Sequence, residues 1–270
     1  MSIALSQKTR IMGILNVTPD SFYDGGRFDS LDKALSHAER MCREGADIID
    51  IGGESSRPGA NPVSLQEELD RVCPVVEAVA REFDVTLSVD TYKSRVAEAA
   101  LGLGATMVND ISGLTFDEDM VGVVAKAGAS LVIMHISGTP ATMQDLPRYN
   151  DLLADISGFL ETSIGKARSA GIDDSKIILD PGIGFGKTLE DNYRIIRNIP
   201  RFKQMGFSLM IGVSRKSLIG KLYEADYDRL PATVALNAIA AFLGADIVRV
   251  HDVHEHRIAL KSIDLLKEPY

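Results

Sequence analysis

Glu44-Gly45-Ala46-Asp47-Ile48-Ile49-Asp50-Ile51-Gly52-Gly53 is the stretch on which the fold turns. A glycine supplies the left-handed stop that ends a helix. The run after it is continuously apolar in the main instead of alternating, as a parallel strand buried on both faces requires. The same punctuation recurs at Leu103-Gly104-Ala105 and Leu243-Gly244-Ala245-Asp246. Working outward, comparable runs occupy 10–16, 46–53, 85–90, 106–112, 129–135, 176–182, 208–214 and 245–251. They recur roughly every 30 residues, the length of a strand, a crossover helix and their turns. Segments of helical period lie between them. Ser64-Leu65-Gln66-Glu67 reads as a reciprocal capping box opening one such helix. Eight strand–helix units with no Pro/Gly/Ser-rich linker predict one domain over 1–270, an α/β fold of the single (β/α)8 TIM-barrel type. An open doubly wound sheet is the alternative.

The net charge of −9 argues against a nucleic-acid or anionic-membrane surface, which would repel the chain. The N-terminal stretch MSIALSQKTR lacks the apolar run of a signal peptide, and no segment is long and apolar enough to span a membrane. A cytoplasmic protein is therefore expected. Cys42 and Cys73 fall on apolar helical faces and read as buried, reduced thiols.

In a barrel the chemistry sits at the C-terminal ends of the strands. Those ends carry Asn16, Glu54, Asp90, Asn109-Asp110, His135, Asp180, Ser214-Arg215-Lys216, Arg249 and His251. A carboxylate ending an apolar strand costs several kcal/mol unless paired, so Asp90 and Asp180 need donors from Lys216, from backbone or from a ligand. Two carboxylates, an amide and a lysine suit a flat heterocycle bearing N–H donors and ring acceptors. Arg57, Arg249 and His251 form a second, cationic group fitted to phosphate or carboxylate. With Asn16, an oxygen ligand of the kind Mg²⁺ accepts, they could hold a metal-diphosphate.

Two loops, Thr18-Pro19-Asp20-Ser21-Phe22-Tyr23-Asp24-Gly25-Gly26 and Glu54-Ser55-Ser56-Arg57-Pro58-Gly59-Ala60, are rich in turn formers and able to close over a ligand. Asp20 or Asp24 could add a carboxylate to the metal. Asp180-Pro181-Gly182-Ile183-Gly184-Phe185-Gly186-Lys187-Thr188 misses the nucleotide-binding spacing, because the required first glycine falls on Pro181. It reads instead as a turn bringing backbone and the Phe185 ring to a flat ligand. His135 reads as a buried, hydrogen-bonded histidine, and His254 and His256 as a solvated face of the last helix. No zinc spacing and no nucleophile elbow occurs, which favours catalysis by positioning and charge stabilisation.

The motifs Gly13-Ile14-Leu15-Asn16-Val17-Thr18-Pro19-Asp20-Ser21-Phe22, Gly52-Gly53-Glu54-Ser55-Ser56-Arg57-Pro58-Gly59-Ala60, Leu179-Asp180-Pro181-Gly182, Phe185-Gly186-Lys187, Ser214-Arg215-Lys216 and Arg249-Val250-His251-Asp252, in this order, resemble the dihydropteroate synthases from about residue 10 to 260. The resemblance implies condensation of (7,8-dihydropterin-6-yl)methyl diphosphate with 4-aminobenzoate in folate biosynthesis, with Asp90, Asp180 and Lys216 at the catalytic centre. It further implies a pterin site of Asp90, Asn109, Met134, Asp180, Phe185 and Lys216. Asn16 would coordinate Mg²⁺ and, with Arg57, Arg249 and His251, bind the diphosphate. Ser56, Arg57, Pro58, Phe185, Ser214 and Lys216 would border the aminobenzoate. It also implies a homodimer, through the apolar helix near 231–243, and sensitivity to sulfonamides. Ser56 stands where the family usually has threonine, Tyr23 where serine is frequent, and Ile136-Ser137 where other residues are common. A methyltetrahydrofolate methyltransferase-like barrel would share the pterin groups but needs neither the diphosphate clamp nor the first loop. A non-catalytic pterin-binding paralogue would bind without turnover.

Overall fold

The computed structural model describes residues 8–18, 27–57, 59–143, 149–220 and 228–267. The expected strands β1 (Arg10–Asn16), β2 (Ile48–Gly52), β3 (Thr86–Asp90), β4 (Met107–Asp110), β5 (Ser130–Met134), β6 (Ile177–Asp180), β7 (Ser208–Ile211) and β8 (Ile247–Val250) all form. They pair in parallel and in chain order, and β8 closes on β1. The helices between them are α1 (Arg27–Glu44), α2 (Leu65–Glu82), α3 (Ser94–Gly102), α4 (Met120–Ala127), α5 (Leu152–Ser169), α6 (Leu189–Arg197), α7 (Ile199–Lys203), α8 (Ser217–Gly220) and α9 (Leu230–Phe242), with α10 (Val253–Lys267) after β8. The open-sheet alternative is excluded. Several apolar runs overshoot their strands by two or three residues, as at 176–182 and 208–214. There the backbone leaves the ladder to build the barrel mouth.

Alternation along each strand sorts the core into two compartments. Outward residues such as Ile49, Ile51, Val89, Val108, Ile133, Leu179, Ile211 and Val248 pack under the helices in one continuous core. Inward residues Met12, Ile48, Met107, Val132, Ile178, Met210 and Ile247 form a separate apolar layer inside the barrel. Two residues further along the same inward faces the chemistry changes: Asp50, Asn109, Asp180 and Arg249 follow Ile48, Met107, Ile178 and Ile247, and Asp90 follows the buried Ser88. Register ties this upper layer together, with Asp50 opposite Ser88, Asp90 opposite Gly52 and Asn109, and Met134 opposite Asp180.

Gly45, Gly104 and Gly244 all take positive φ, as the helix stops demand. The capping box at Ser64 is only half made. Ser64 Oγ accepts from Glu67 N at 3.3 Å, but the Glu67 carboxylate turns to Arg71 one helical turn on. A reciprocal box does form at Thr188 and Asp191, opening α6. His256 is a correction: it is buried, with Nε2 2.9 Å from Asn237 Nδ2 and Nδ1 2.6 Å from Asp252 O, because α10 turns Val253, His256 and Leu260 inward together. His254 is exposed, as expected. Cys42 and Cys73 are half-buried rather than buried, and burial pushes both thiols up. Among the described residues no helix is long and apolar enough to cross a membrane.

Candidate active site

The floor of the barrel mouth is one charge network. Arg249, inward on β8, donates from Nε to Asp50 Oδ2 at 2.6 Å and from a terminal nitrogen to Asp90 Oδ2 at 2.6 Å. Asn109 on β4 donates from Nδ2 to the same Asp50 oxygen at 2.9 Å. Asp50 and Asn109 are buried, and Asp90 is 10% exposed. Arg249 therefore lies against the carboxylates, where the residue types alone had placed it with a separate cationic group. Burial pushes Asp90 up to about 7, with Arg249 opposing and Asp50 and Glu68 adding to the rise. Burial acts against the Arg249 charge, but Asp50 and Asp90 more than offset it, so that guanidinium stays protonated.

Asp180, buried at the end of β6, accepts from Gly182 N at 2.7 Å. Burial raises its pKa, against the pull of Lys216 and the Gly182 amide. The turn that supplies this amide needs glycine: Gly182 has φ +72°, and a Cβ there would fall 1.9 Å from His135 O. Phe185 closes the turn and joins Ile111, Met134, Ile136 and Met143 in a small apolar cluster at the mouth, with Tyr92 packed against it. Lys216 Nζ lies 4.5 Å over the centre of the Phe185 ring and donates to Ile183 O. Burial brings Lys216 down to about 8, while Asp180 and Asp90 favour its charge.

Lys216 reaches inward because Arg215 does not. Arg215 takes φ +55°, a left-handed conformation costly for a side-chain-bearing residue. It is fastened by its N–H to Thr233 Oγ1 at 3.2 Å and by Nε to Asp252 at 2.9 Å. Ser214 Oγ bonds His251 Nδ1 at 2.9 Å, joining the ends of β7 and β8. Burial and the neighbouring Arg249 bring His251 down to about 4, so it is neutral near pH 7. Asn16 stands half-exposed at the end of β1. A Cβ added at Gly52 would lie 3.6 Å from Asp90 Oδ2 and 3.8 Å from Asn16 Oδ1, so these two oxygens face one place.

Of the second loop, Ser55 and Ser56 are half-buried and Arg57 is exposed. The charge of Arg57 nevertheless contributes to the lowering of His251. Pro58, Asp20, Tyr23 and Asp24 lie outside the described residues. Glu54 is tied up in structural bonds. Its carboxylate takes Tyr92 OH at 2.6 Å, Lys93 Nζ at 2.5 Å and Val63 N at 3.1 Å, drawing the two ends of the loop together. Asp110 is likewise structural, capping Ser112 N and Leu114 N at 2.8 Å each. His135 is buried as expected, 3.0 Å from Lys187 Nζ. Burial and the Lys187 charge bring His135 down to about 3, and burial brings Lys187 down to about 7.

The structure thus brings Asp90, Asn109, Asp180, Lys216, Arg249, Met134 and Phe185 to one mouth, with Ser214, His251 and Asn16 at its rim. Sequence reasoning passed over two members, Asp50 and Lys187. Asp50 had a signal, a carboxylate flanked by isoleucines mid-strand, and Lys187 was visible only as part of the glycine-rich motif.

Residues 12–251 match the pterin binding enzyme family. The chain is 48% identical over 262 residues to the dihydropteroate synthase of Synechocystis sp., covering 96% of this chain and 91% of that protein. A Clostridium difficile dihydropteroate synthase, crystallised in the presence of pteroic acid, superimposes with TM-score 0.93 at 45% identity, covering 99% of this chain and all of that one. The Yersinia pestis enzyme in complex with a sulfonamide drug gives 0.91 at 46%, covering 99% and 97%. These similarities place the chain in the pterin-binding enzyme family, among the dihydropteroate synthases.

Proposed function

We propose that the chain joins (7,8-dihydropterin-6-yl)methyl diphosphate to 4-aminobenzoate, giving dihydropteroate and diphosphate. The observation that carries this reading is the buried mouth floor. Asp90, Asn109 and Asp180 present acceptors, Lys216 is a donor, and Met134 and Phe185 supply apolar surface beside them. A pterin, flat and bearing ring N–H and amino donors, is complementary to that set. The relatives crystallised with pteroic acid and with a sulfonamide support the same substrates.

His251 and Arg57 at the rim, with Arg249 beneath them, would receive the diphosphate, His251 as a neutral donor. Ser56, Pro58 and Ser214, with Phe185 and Lys216, would border the aminobenzoate. Mg²⁺ prefers oxygen ligands and keeps several waters, taking the rest from one or two protein oxygens and substrate phosphates. Asn16 suits that role. No group of three His, Cys, Asp or Glu side chains among the described residues could cage a metal unaided. Bound there, the ion would neutralise part of the diphosphate charge.

In the reaction the exocyclic C–O bond breaks and its electron pair leaves with diphosphate. The arylamine nitrogen forms the new C–N bond at that carbon and then releases a proton to solvent. Positive charge developing on the pterin methylene is favoured by ionised Asp90 and Asp180, and Arg249 and His251 favour the departing negative charge. The loops would exclude the water that would otherwise capture the carbon.

The apolar residues Ile239 and Phe242 on α9, with Ile258, Leu265 and Leu266 on α10, are exposed. They suit the face of a homodimer. A cytoplasmic location accords with a folate-pathway enzyme of this kind.

The test is to incubate the protein with Mg²⁺, pterin diphosphate and 4-aminobenzoate and to measure diphosphate and dihydropteroate together. Equal yields of both, abolished in Asp90→Ala and competed by a sulfonamide against aminobenzoate, are expected. Tight pterin binding without turnover would mean a silent paralogue, and no pterin binding would overturn the reading.

A further inference from the structure

Three buried side-chain atoms near the mouth have no hydrogen-bond partner among the described residues: Asp50 Oδ1, Ser88 Oγ and Asn109 Oδ1. Burying a polar atom unpaired is costly, so each calls for an explanation. The one on Asn109 has a specific cause. An amide can present either its oxygen or its NH₂ to a ligand, and only its partner decides which. Here the partner is Asp50, an acceptor with no donor to offer. It takes Asn109 Nδ2 at 2.9 Å and, on the same oxygen, Arg249 Nε at 2.6 Å. Two donors converging on one carboxylate oxygen leave Asn109 a single orientation, with Oδ1 turned away from Asp50.

We infer that Asp50, two residues below the end of β2, is a positioning residue that locks the Asn109 amide so that the mouth offers an acceptor, and thereby selects a heterocycle that donates an N–H. The inference rests on the pterin reading above and deepens it. Asp50 gives the floor a fixed polarity, and Asn109 without it would turn either way. The same oxygen holds the Arg249 guanidinium in the plane from which its other nitrogen reaches Asp90.

The test uses 6-hydroxymethyl-7,8-dihydropterin, which lacks diphosphate, and Mg²⁺ with inorganic diphosphate as separate binding probes. In Asp50→Ala the dihydropterin is expected to bind at least tenfold more weakly, and diphosphate, whose ligand Arg249 keeps its contact with Asp90, should weaken by a clearly smaller factor. In turnover, KM for pterin diphosphate should rise by more than kcat falls. Asp50→Asn keeps an oxygen able to accept from both donors while losing the charge, so it should restore dihydropterin binding to within about threefold. Should the alanine variant not fold, Asp50→Leu refills the space with a side chain like its isoleucine neighbours and asks the same question. Unchanged dihydropterin affinity in the alanine or leucine variant overturns the inference. So does an asparagine variant as weak as the alanine one, which would make Asp50 only the counter-charge of Arg249. An unmodified protein that binds no pterin would instead sink the functional reading itself.

Discussion

The apolar layer inside the barrel and the polar layer above it are built by the same strands, on the same faces, two residues apart. Met107 and Asn109 share β4, Ile178 and Asp180 share β6, and Ile247 and Arg249 share β8. The lower residues form an apolar cluster of their own and can be chosen for volume. The upper ones are held by specific partners, as Arg249 is by Asp50 and Asp90, and every such pair restricts the next. Neighbouring positions of one strand thus carry separate demands. The lower layer seals the barrel, and the upper layer tolerates buried charge because that seal sets its geometry.

Exchanging one residue from each layer should pull these demands apart. Lys216→Ala removes the cation over Phe185 and beside Asp180, and turnover should fall by roughly 10²–10³, the usual cost of losing a preorganised charge. Its melting temperature should change little. Met210→Ala should do the reverse. It opens a cavity in a fully buried layer and should cost about 2–5 kcal/mol in chemical denaturation, with kcat within a few-fold. A Met210 variant that loses activity at full stability would show that the layers are not separable.

The lower layer was legible in the sequence and the upper one only partly, for a physical reason. Apolar runs announce a buried strand whichever face each residue takes, so the eight strands followed from the recurring runs, while the closure of β8 on β1 came from the structure. A polar residue at a strand end announces a site, which gave Asp90, Asn109, Asp180 and Lys216. Which of these pair depends on register between strands far apart in the chain. Asp50 and Arg249 are 199 residues apart, and no local pattern joins them. That Glu54 and Asp110 spend their carboxylates on neighbouring backbone and side chains is something a strand-end position cannot reveal. The inward turn of His256 was readable from its spacing with Val253 and Leu260.

The charge in the upper layer should also be visible as a pH profile. Burial pushes Asp90 up to about 7, so its carboxylate is ionised above that pH and protonated below it. Lys216, brought down to about 8, is charged below that pH and neutral above it. Both charged forms coexist only in a narrow window between these values. Initial rates at low pterin diphosphate should therefore rise as pH climbs through about 7 and decline above about 8, since kcat/KM reports the free enzyme. Asp90→Asn should remove the acid limb and leave the alkaline one. A profile flat from pH 6 to 9 would mean that neither charge is needed.

The smallest expected effect is the sharpest probe of the boundary, because it adds one carbon to the upper layer and no charge. Gly212 continues the inward face of β7 two residues above Met210, at the level where neighbouring strands carry functional side chains. A Cβ there would lie 3.7 Å from Arg249 Cβ and 3.9 Å from Lys216 Nζ, ordinary contact distances, and its backbone is not left-handed. Gly212→Ala should therefore fold, and should gain about 0.4–1 kcal/mol through the less flexible unfolded chain. The methyl group would nonetheless occupy space between the two cations that the substrate needs, so KM for pterin diphosphate should rise several-fold while KM for aminobenzoate stays put. Equal rises in both constants would place the methyl group in the path of both substrates. No rise in either would mean that the room at Gly212 serves packing alone, and that the boundary between the layers lies above β7.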